Sequence, residues 1–107
     1  MDRETKLQWY DEIVQEAGLE RKGKNMVYTS ANGHMFSQLN KANELGIRLS
    51  KEDTADFDRH YGAQPFTSYG ATMREYVLIP PSLHSNVAEL ADWLKKGHTY
   101  VCSLPSK

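Results

Sequence analysis

The Asn-Gly pair at positions 32–33 constrains the fold of this chain more than any other short feature. It separates two stretches with strand character, residues 26–29 and 34–39. An Asn-Gly pair favours a type I′ turn, which needs positive φ at both central residues and joins two antiparallel strands. The sequence therefore predicts a β-hairpin over residues 26–39 and, with it, an antiparallel sheet.

Three amphipathic segments predict the helices that cover this sheet. Residues 3–17 place apolar side chains at helical spacing. Residues 50–62 begin with Ser50 in a Ser-Lys-Glu-Asp sequence that resembles a capping box. Residues 85–103 carry a long apolar stripe bordered by Trp93, which we expect to be buried with its indole N–H on a polar partner. Gly97 lies inside this third helix and indicates either close packing or a kink.

Further strands are predicted at 45–49, 66–68 and 73–79, and the last of these, apolar on both sides at its end, reads as an interior strand. Gly46 marks a bulge or a close backbone approach. The resulting order is α-β-β-β-α-β-β-α. It predicts an α+β fold, a two-layer domain in which helices cover an antiparallel sheet. A length of 107 residues allows a single domain over residues 1–107.

Composition excludes several classes of protein. The net charge is −1, whereas domains that neutralise nucleic-acid phosphates are clearly basic, so no nucleic-acid partner is expected. No aliphatic run is longer than residues 77–79, far below the ~20 residues of a membrane span. One cysteine, Cys102, excludes an intrachain disulfide. With no signal-peptide pattern near Met1, these features predict a soluble, cytoplasmic protein.

Two groupings of reactive side chains are better explained as packing or solvated surface than as chemical sites. His98 and Cys102 are four residues apart on a helix and could face one metal or form a nucleophile pair, but spacing supplies no third group. Glu52 and Asp56 share a helix face with neighbouring acids, which suits a solvated surface. We therefore expect no catalytic residues, no cofactor and no metal.

Arg74 and Glu75 interrupt a strand that is otherwise apolar. Strict alternation places Arg74 and Tyr76 on one face. Charges in such a strand form a cross-strand ion pair on a solvated face, or they contact a partner. In the second case, Tyr69, Arg74, Glu75 and Tyr76 form a candidate recognition patch.

Six segments in linear order resemble the TfoX N-terminal-domain family of small bacterial proteins. They are N-G-H-M-F at 32–36, L-G-I-R-L-S-K-E-D-T-A-D-F at 45–57, G-A-Q-P-F at 62–66, M-R-E-Y-V-L-I-P at 73–80, L-A-D-W-L at 90–94 and Y-V-C-S-L-P-S-K at 100–107. The resemblance covers about residues 7–107 and implies an α-β(3)-α-β(2)-α two-layer fold. Two positions depart from the family pattern: Met-Val-Tyr at 26–28 replaces Met-Phe-Gly, and Gly97 replaces alanine.

The resemblance implies no catalytic residues. The family's namesake regulates natural competence and adds a second domain, so that role is not expected to transfer. We expect a non-catalytic regulatory or protein-interaction domain whose partner is another protein or a second copy of the chain.

Two alternative functions remain open. One is a small-molecule-binding or enzymatic domain with a pocket between sheet and helices, lined by Tyr28, Arg74, Tyr76 and Trp93. The other is nucleic-acid binding through the basic residues Arg21, Lys22 and Lys24 together with Tyr28.

Overall fold

The computed structural model of the chain describes residues 2–24 and 26–106. The helices are α1 (Arg3–Glu16), α2 (Lys51–Tyr61) and α3 (Val87–Cys102), with a short 3₁₀ turn at Pro81–Leu83. The strands are β1 (Val27–Ala31), β2 (His34–Leu39), β3 (Leu45–Arg48), β4 (Pro65–Ser68) and β5 (Ala71–Leu78). The predicted α+β class and element order are confirmed. No helix in this part of the chain is long and apolar enough to cross a membrane.

The five strands form one antiparallel sheet in the order β1-β2-β3-β5-β4. Strand β5 is therefore interior, as predicted. The outer edge of β1 is partly covered, because the backbone of Lys22 exchanges hydrogen bonds of 2.7 and 3.0 Å with Tyr28. On the other edge, the carbonyl of Thr67 in β4 accepts a hydrogen bond from the Asn40 side chain. Such cover discourages edge-to-edge pairing of chains.

The β1–β2 turn has the conformation that its sequence predicts. Asn32 and Gly33 have φ values of +55° and +79°. The Asn32 side chain also donates hydrogen bonds to the carbonyls of Val101 and Leu104, at 2.9 and 2.7 Å. The turn therefore fixes the hairpin and holds it against the end of α3.

Replacing Gly33 with Val should destabilise the domain by about 1–2 kcal/mol, because a β-branched residue resists positive φ. Gly33→Asn is the matched control and should cost less, since Asn tolerates this conformation. Denaturant unfolding of the two variants measures the difference. Equal midpoints for Gly33→Val and the wild type would contradict the assigned turn.

The first face of the sheet lies against the helices. Residues paired directly across antiparallel strands share a face, and the pairs Thr29–Ser37 and Ser37–Ile47 run across β1, β2 and β3. Tyr10 of α1 reaches this face, where its hydroxyl lies 2.5 Å from Ser37 Oγ, which lies 2.5 Å from Thr29 Oγ1. Burial raises the pKa of Tyr10, so this chain of hydroxyls stays uncharged.

Gly97 allows α3 to approach the sheet closely. A Cβ at this position would lie 2.7 Å from the carbonyl oxygen of Arg48 and 3.3 Å from Ile47. The helix continues without interruption through Cys102. Close packing, and not a kink, is therefore the role of this glycine.

The second face of the sheet carries a smaller aromatic cluster. Gly46 in β3 leaves space that the Phe66 ring of β4 occupies, since a Cβ on Gly46 would lie 2.4 Å from that ring. Phe66 is fully buried and stacks on Tyr76, with ring centroids 5.9 Å apart. The sequence expectation of a close approach at Gly46 is confirmed. The Phe66 ring of the edge strand β4 thus reaches across the face opposite the helices as far as β3.

Candidate recognition site

The four residues of the predicted patch have different surroundings in the structure. Tyr69, Arg74 and Glu75 are exposed, whereas Tyr76 is only 8% exposed. The Tyr76 hydroxyl donates to the Met35 carbonyl at 2.9 Å, and burial raises the pKa of this phenol. Tyr76 is therefore a packing residue, and the four side chains do not form one exposed surface.

The bulge at Glu75 explains why alternation along β5 fails. Pro65 pairs with Val77 and Thr67 pairs with Thr72, so β5 carries extra residues opposite Phe66. Glu75 takes up the irregularity with a φ of +70°. Because a bulge breaks the two-residue period of a strand, Arg74 and Tyr76 do not share an environment.

Glu75 makes a cross-strand ion pair on a solvated face, and its partner is Arg48 of β3. The Arg48 Nη2 lies 2.6 Å from Glu75 Oε1, and the Tyr100 hydroxyl donates to Glu75 Oε2 at 2.5 Å. Burial opposes ionisation of Glu75, but the hydrogen bonds from Tyr100 and Arg48 outweigh it and lower the pKa of this carboxyl. The network joins β3, β5 and α3, which is a structural role.

Among the described residues, Tyr69 is the large hydrophobic side chain that is exposed to solvent. It lies in the two-residue β4–β5 turn, where Tyr69 and Gly70 have φ values of +54° and +74°. Its side chain is 70% exposed, and the Lys41 ammonium lies 5.6 Å from its ring centroid. Positive φ is costly for a residue of this kind, and strained residues cluster at functional sites.

A depression of about 230 Å³ lies beside this ring, and we call it the Tyr69 depression. Its walls are the start of α1, the end of β2, the loop at residues 40–44 and the β4–β5 turn. Met26 and Tyr69 supply apolar surface above the buried Leu39, while Arg3, Lys41 and Glu44 supply charge. These segments are distant in sequence, so no local motif predicts that they meet.

Asn40 holds the loop wall of the Tyr69 depression in one conformation. It is 6% exposed, and its Oδ1 accepts from the backbone N–H groups of Ala42 and Glu44, at 3.0 and 2.9 Å. Its Nδ2 donates to Glu44 Oε1 at 3.1 Å and to the Thr67 carbonyl at 2.9 Å. The loop and the β4–β5 hairpin are therefore joined through one amide. In the sequence, the only local signal for this arrangement is an Asn at the start of the segment, since an Asn side chain can close an Asx turn.

Arg3 connects helix α1 to the same loop. Its Nη1 donates to the Asn40 carbonyl at 2.6 Å and to Asn43 Oδ1 at 3.0 Å. The start of α1 is fixed in turn by Asp2, which accepts from the Thr5 N–H. The depression thus has walls supported by hydrogen bonds on several sides, which fix its shape in the free domain.

The other sequence candidates lie elsewhere. Cys102 Sγ is 3.8 Å from His98 Nε2 on the exposed end of α3. In the described part of the chain, no three His, Cys, Asp or Glu side chains are grouped so that they could hold a metal ion. In the acidic segment, Asp56 pairs with Arg59, and Asp58 accepts from the Ala63 N–H.

Trp93, Tyr76 and Arg21, which belong to the two alternative functions, are engaged in packing or pairing. Trp93 packs among the helices against Phe57, whereas Tyr76 lies on the opposite face of the sheet with Phe66. These two rings therefore do not line a common pocket. In the basic segment, Arg21 forms an ion pair with Asp11 at 2.6 Å.

No known family model matches the chain, and a search of curated proteins finds no relative.

Proposed function

We propose that this chain is a non-catalytic recognition domain that binds a segment of another protein at the Tyr69 depression. The observation that carries the proposal is the exposure and the backbone conformation of Tyr69. A large ring that is 70% exposed and held at a φ of +54° costs stability and buries little surface in the free domain. Aromatic side chains next to a pocket are the common anchors of protein–protein interfaces.

The size of the depression favours a protein partner over a free small molecule. Its volume of about 230 Å³ is below the roughly 300–1,000 Å³ of small-molecule sites. A space of this size suits one apolar side chain of a partner segment, packed against Met26 and the Tyr69 ring. The Lys41 ammonium beside Tyr69 adds a positive rim.

Rigidity of the walls supports the same proposal. Asn40 makes four hydrogen bonds from its side chain and is almost fully buried. A surface that is ordered before binding loses less conformational entropy when the partner arrives. The lining combines apolar, amide and ionic groups, which can make both hydrophobic and polar contacts with a partner segment.

We also propose that the chain is related to the TfoX N-terminal-domain family. Support comes from the ordered segments at 32–36, 45–57, 62–66, 73–80, 90–94 and 100–107, together with an element order equal to the one that the resemblance implies. The proposal of a regulatory, non-catalytic role agrees with that relationship. Competence regulation is not part of it.

Selection of a phage-displayed random peptide library on the immobilised domain tests the proposed function. Peptides that bind should shift the backbone amide signals of Lys41, Ala42, Tyr69 and Gly70 in an NMR titration. Arg74→Ala is the matched control, because Arg74 is exposed on the same hairpin but does not line the depression. It should leave peptide affinity within about twofold.

Three results would contradict this proposal. Selection could yield no binders, the shifted signals could lie outside the depression, or Arg74→Ala could abolish binding. Concentration-dependent dimerisation through the depression, detected by sedimentation, would show that the partner is a second copy of the chain and not another protein.

A further inference from the structure

Lys6, Trp9 and His84 form a cluster between α1 and the turn that precedes α3. Lys6 is 7% exposed, and its Nζ lies 2.9 Å from His84 Nδ1 and 4.3 Å from the Trp9 ring centroid. The Trp9 and His84 rings are 4.6 Å apart. The Trp9 indole N–H donates to the His84 carbonyl at 2.7 Å. This cluster therefore holds α1 against the segment between β5 and α3.

The Lys6 ammonium has an uncommon set of partners. Buried lysines are ordinarily paired with carboxylates, but none of the ion pairs between described residues involves Lys6. Of the acids near the cluster along the chain, Glu4 is exposed and Asp11 pairs with Arg21. Asp2 caps the Thr5 N–H, and Glu89 accepts from Trp93. The cation is thus supported by an imidazole nitrogen and an aromatic face.

The Lys6–His84 hydrogen bond holds a single proton between its two nitrogens. With Lys6 as an ammonium, it donates to Nδ1, so the neutral ring carries its proton on Nε2. A second proton on the ring would leave two donors and two positive charges facing each other at 2.9 Å. The contact is therefore compatible with neutral His84 and incompatible with its imidazolium while Lys6 is charged.

We propose that the Lys6–His84 contact is a pH-sensitive switch that keeps the first turns of α1 docked when His84 is neutral and releases them when the ring is protonated. The groups that face His84 are the Lys6 ammonium and the Trp9 ring from α1, and the backbone of Ile79 after β5. Of these, Lys6 is the one that carries charge. Repulsion between the two cations is the driving force for release.

The direction of each pKa shift agrees with this mechanism. Burial lowers the pKa of His84, and the positive charge of Lys6 lowers it further, against a weaker opposing hydrogen bond to the Ile79 backbone. Burial also lowers the pKa of Lys6. Because the unfolded chain binds a proton on histidine more readily, stability is present above the ordinary value of 6.5 and falls as the pH decreases below it.

Release of α1 has a consequence for the Tyr69 depression. Arg3 lies one turn before Lys6 on the same helix and donates to the Asn40 carbonyl at 2.6 Å. When the first turns of α1 leave the body of the domain, this contact is lost and the depression loses one wall. The effect on partner binding rests on the proposed function, whereas the release of α1 does not.

An NMR titration from pH 8 to pH 4 tests the switch on the intact chain. In the wild type, the His84 ring should titrate below the ordinary value, and the Trp9 indole N–H signal should shift in the same pH range. In Lys6→Met, which keeps the length of the side chain without the charge, the His84 midpoint should rise and the Trp9 signal should stay near its neutral-pH position. His84→Gln keeps the backbone carbonyl that Trp9 uses and should also abolish the shift.

Two outcomes would overturn the switch. One is a His84 midpoint that is the same in the wild type and Lys6→Met. The other is a pH-dependent Trp9 shift that persists in His84→Gln. The Asn40 side-chain amide signals report the connection to the depression, because they should move with Trp9. If they move but selected peptides bind equally at both pH values, the proposed link between α1 and peptide binding fails and the switch stands.

Discussion

Replacing Trp93 with Ala should destabilise the domain by about 3–5 kcal/mol, the range for a buried aromatic side chain. Trp93 is 6% exposed, and its ring meets Phe57 edge-on with centroids 5.1 Å apart. Its indole N–H donates to Glu89 Oε2 at 3.3 Å, and the Tyr61 hydroxyl donates to the same oxygen. Because Phe57 belongs to α2, loss of the indole removes this ring contact between α2 and α3, while the hydrogen bond from Tyr61 to Glu89 remains.

Trp93→Phe is the control for this prediction. It keeps an aromatic ring against Phe57 but removes the hydrogen bond to Glu89, so it should cost roughly 1–3 kcal/mol. Denaturant unfolding of both variants gives the two values. A cost for Trp93→Ala below that of Trp93→Phe would show that Trp93 is not part of the core.

Replacing Gly46 with Ala should cost about 3 kcal/mol, at the upper end of the range for overpacked cores. The added Cβ would lie 2.4 Å from two atoms of the Phe66 ring, which is itself fully buried and stacked on Tyr76. Neither ring has free space to enter. The strain must therefore displace the β4–β5 hairpin from the second face of the sheet.

A double-mutant cycle isolates the cause. Phe66→Ala alone removes a buried ring and should also be destabilising by about 3–5 kcal/mol. In that background, Gly46→Ala should cost far less, because the atoms it would meet are gone. Strictly additive effects would mean that Gly46 is required for another reason, and the close approach would not explain this glycine.

The sequence predicts the elements of this fold well where the signals are local. The turn at Asn32 and Gly33, the cap at Ser50 and the stripe that includes Trp93 each depend on residues within one or two turns of chain. The Ser50 hydroxyl accepts from the Asp53 N–H at 3.1 Å, as a capping box requires. Local signals of this kind determine where an element begins and which side of it is buried.

Local sequence signals do not predict the environment of the β5 residues. Alternation places Arg74 and Tyr76 together, but the bulge at Glu75 separates them and Tyr76 packs under Phe66. A bulge depends on the register of two strands, and no residue type at the bulge identifies it. The sequence also predicts that this strand begins at residue 73, whereas β5 begins at Ala71, directly after the turn at Tyr69 and Gly70.

Local sequence signals predict the candidate sites even less well. Of the predicted patch, Tyr69 remains in the proposed site, while Asn40 and Arg3 enter it from distant parts of the chain. Lys6 offers no sequence signal, because a lysine on a helix is usually solvated. Its burial arises only when His84, 78 positions away, packs against α1. Contacts of this kind can be identified only when the three-dimensional structure is known.

Substitution of Tyr69 by Asn tests most directly whether the strained ring is kept for recognition. Asn tolerates positive φ, and Tyr69→Asn gives the β4–β5 turn the same Asn-Gly pair as at 32–33. The variant should be about 0.5–1 kcal/mol more stable than the wild type after the small loss of the Lys41 contact. Its affinity for peptides selected on the wild type, measured by calorimetry, should fall about 30-fold, equivalent to about 2 kcal/mol. A variant that is less stable than the wild type, or that binds the peptides equally well, would contradict the account.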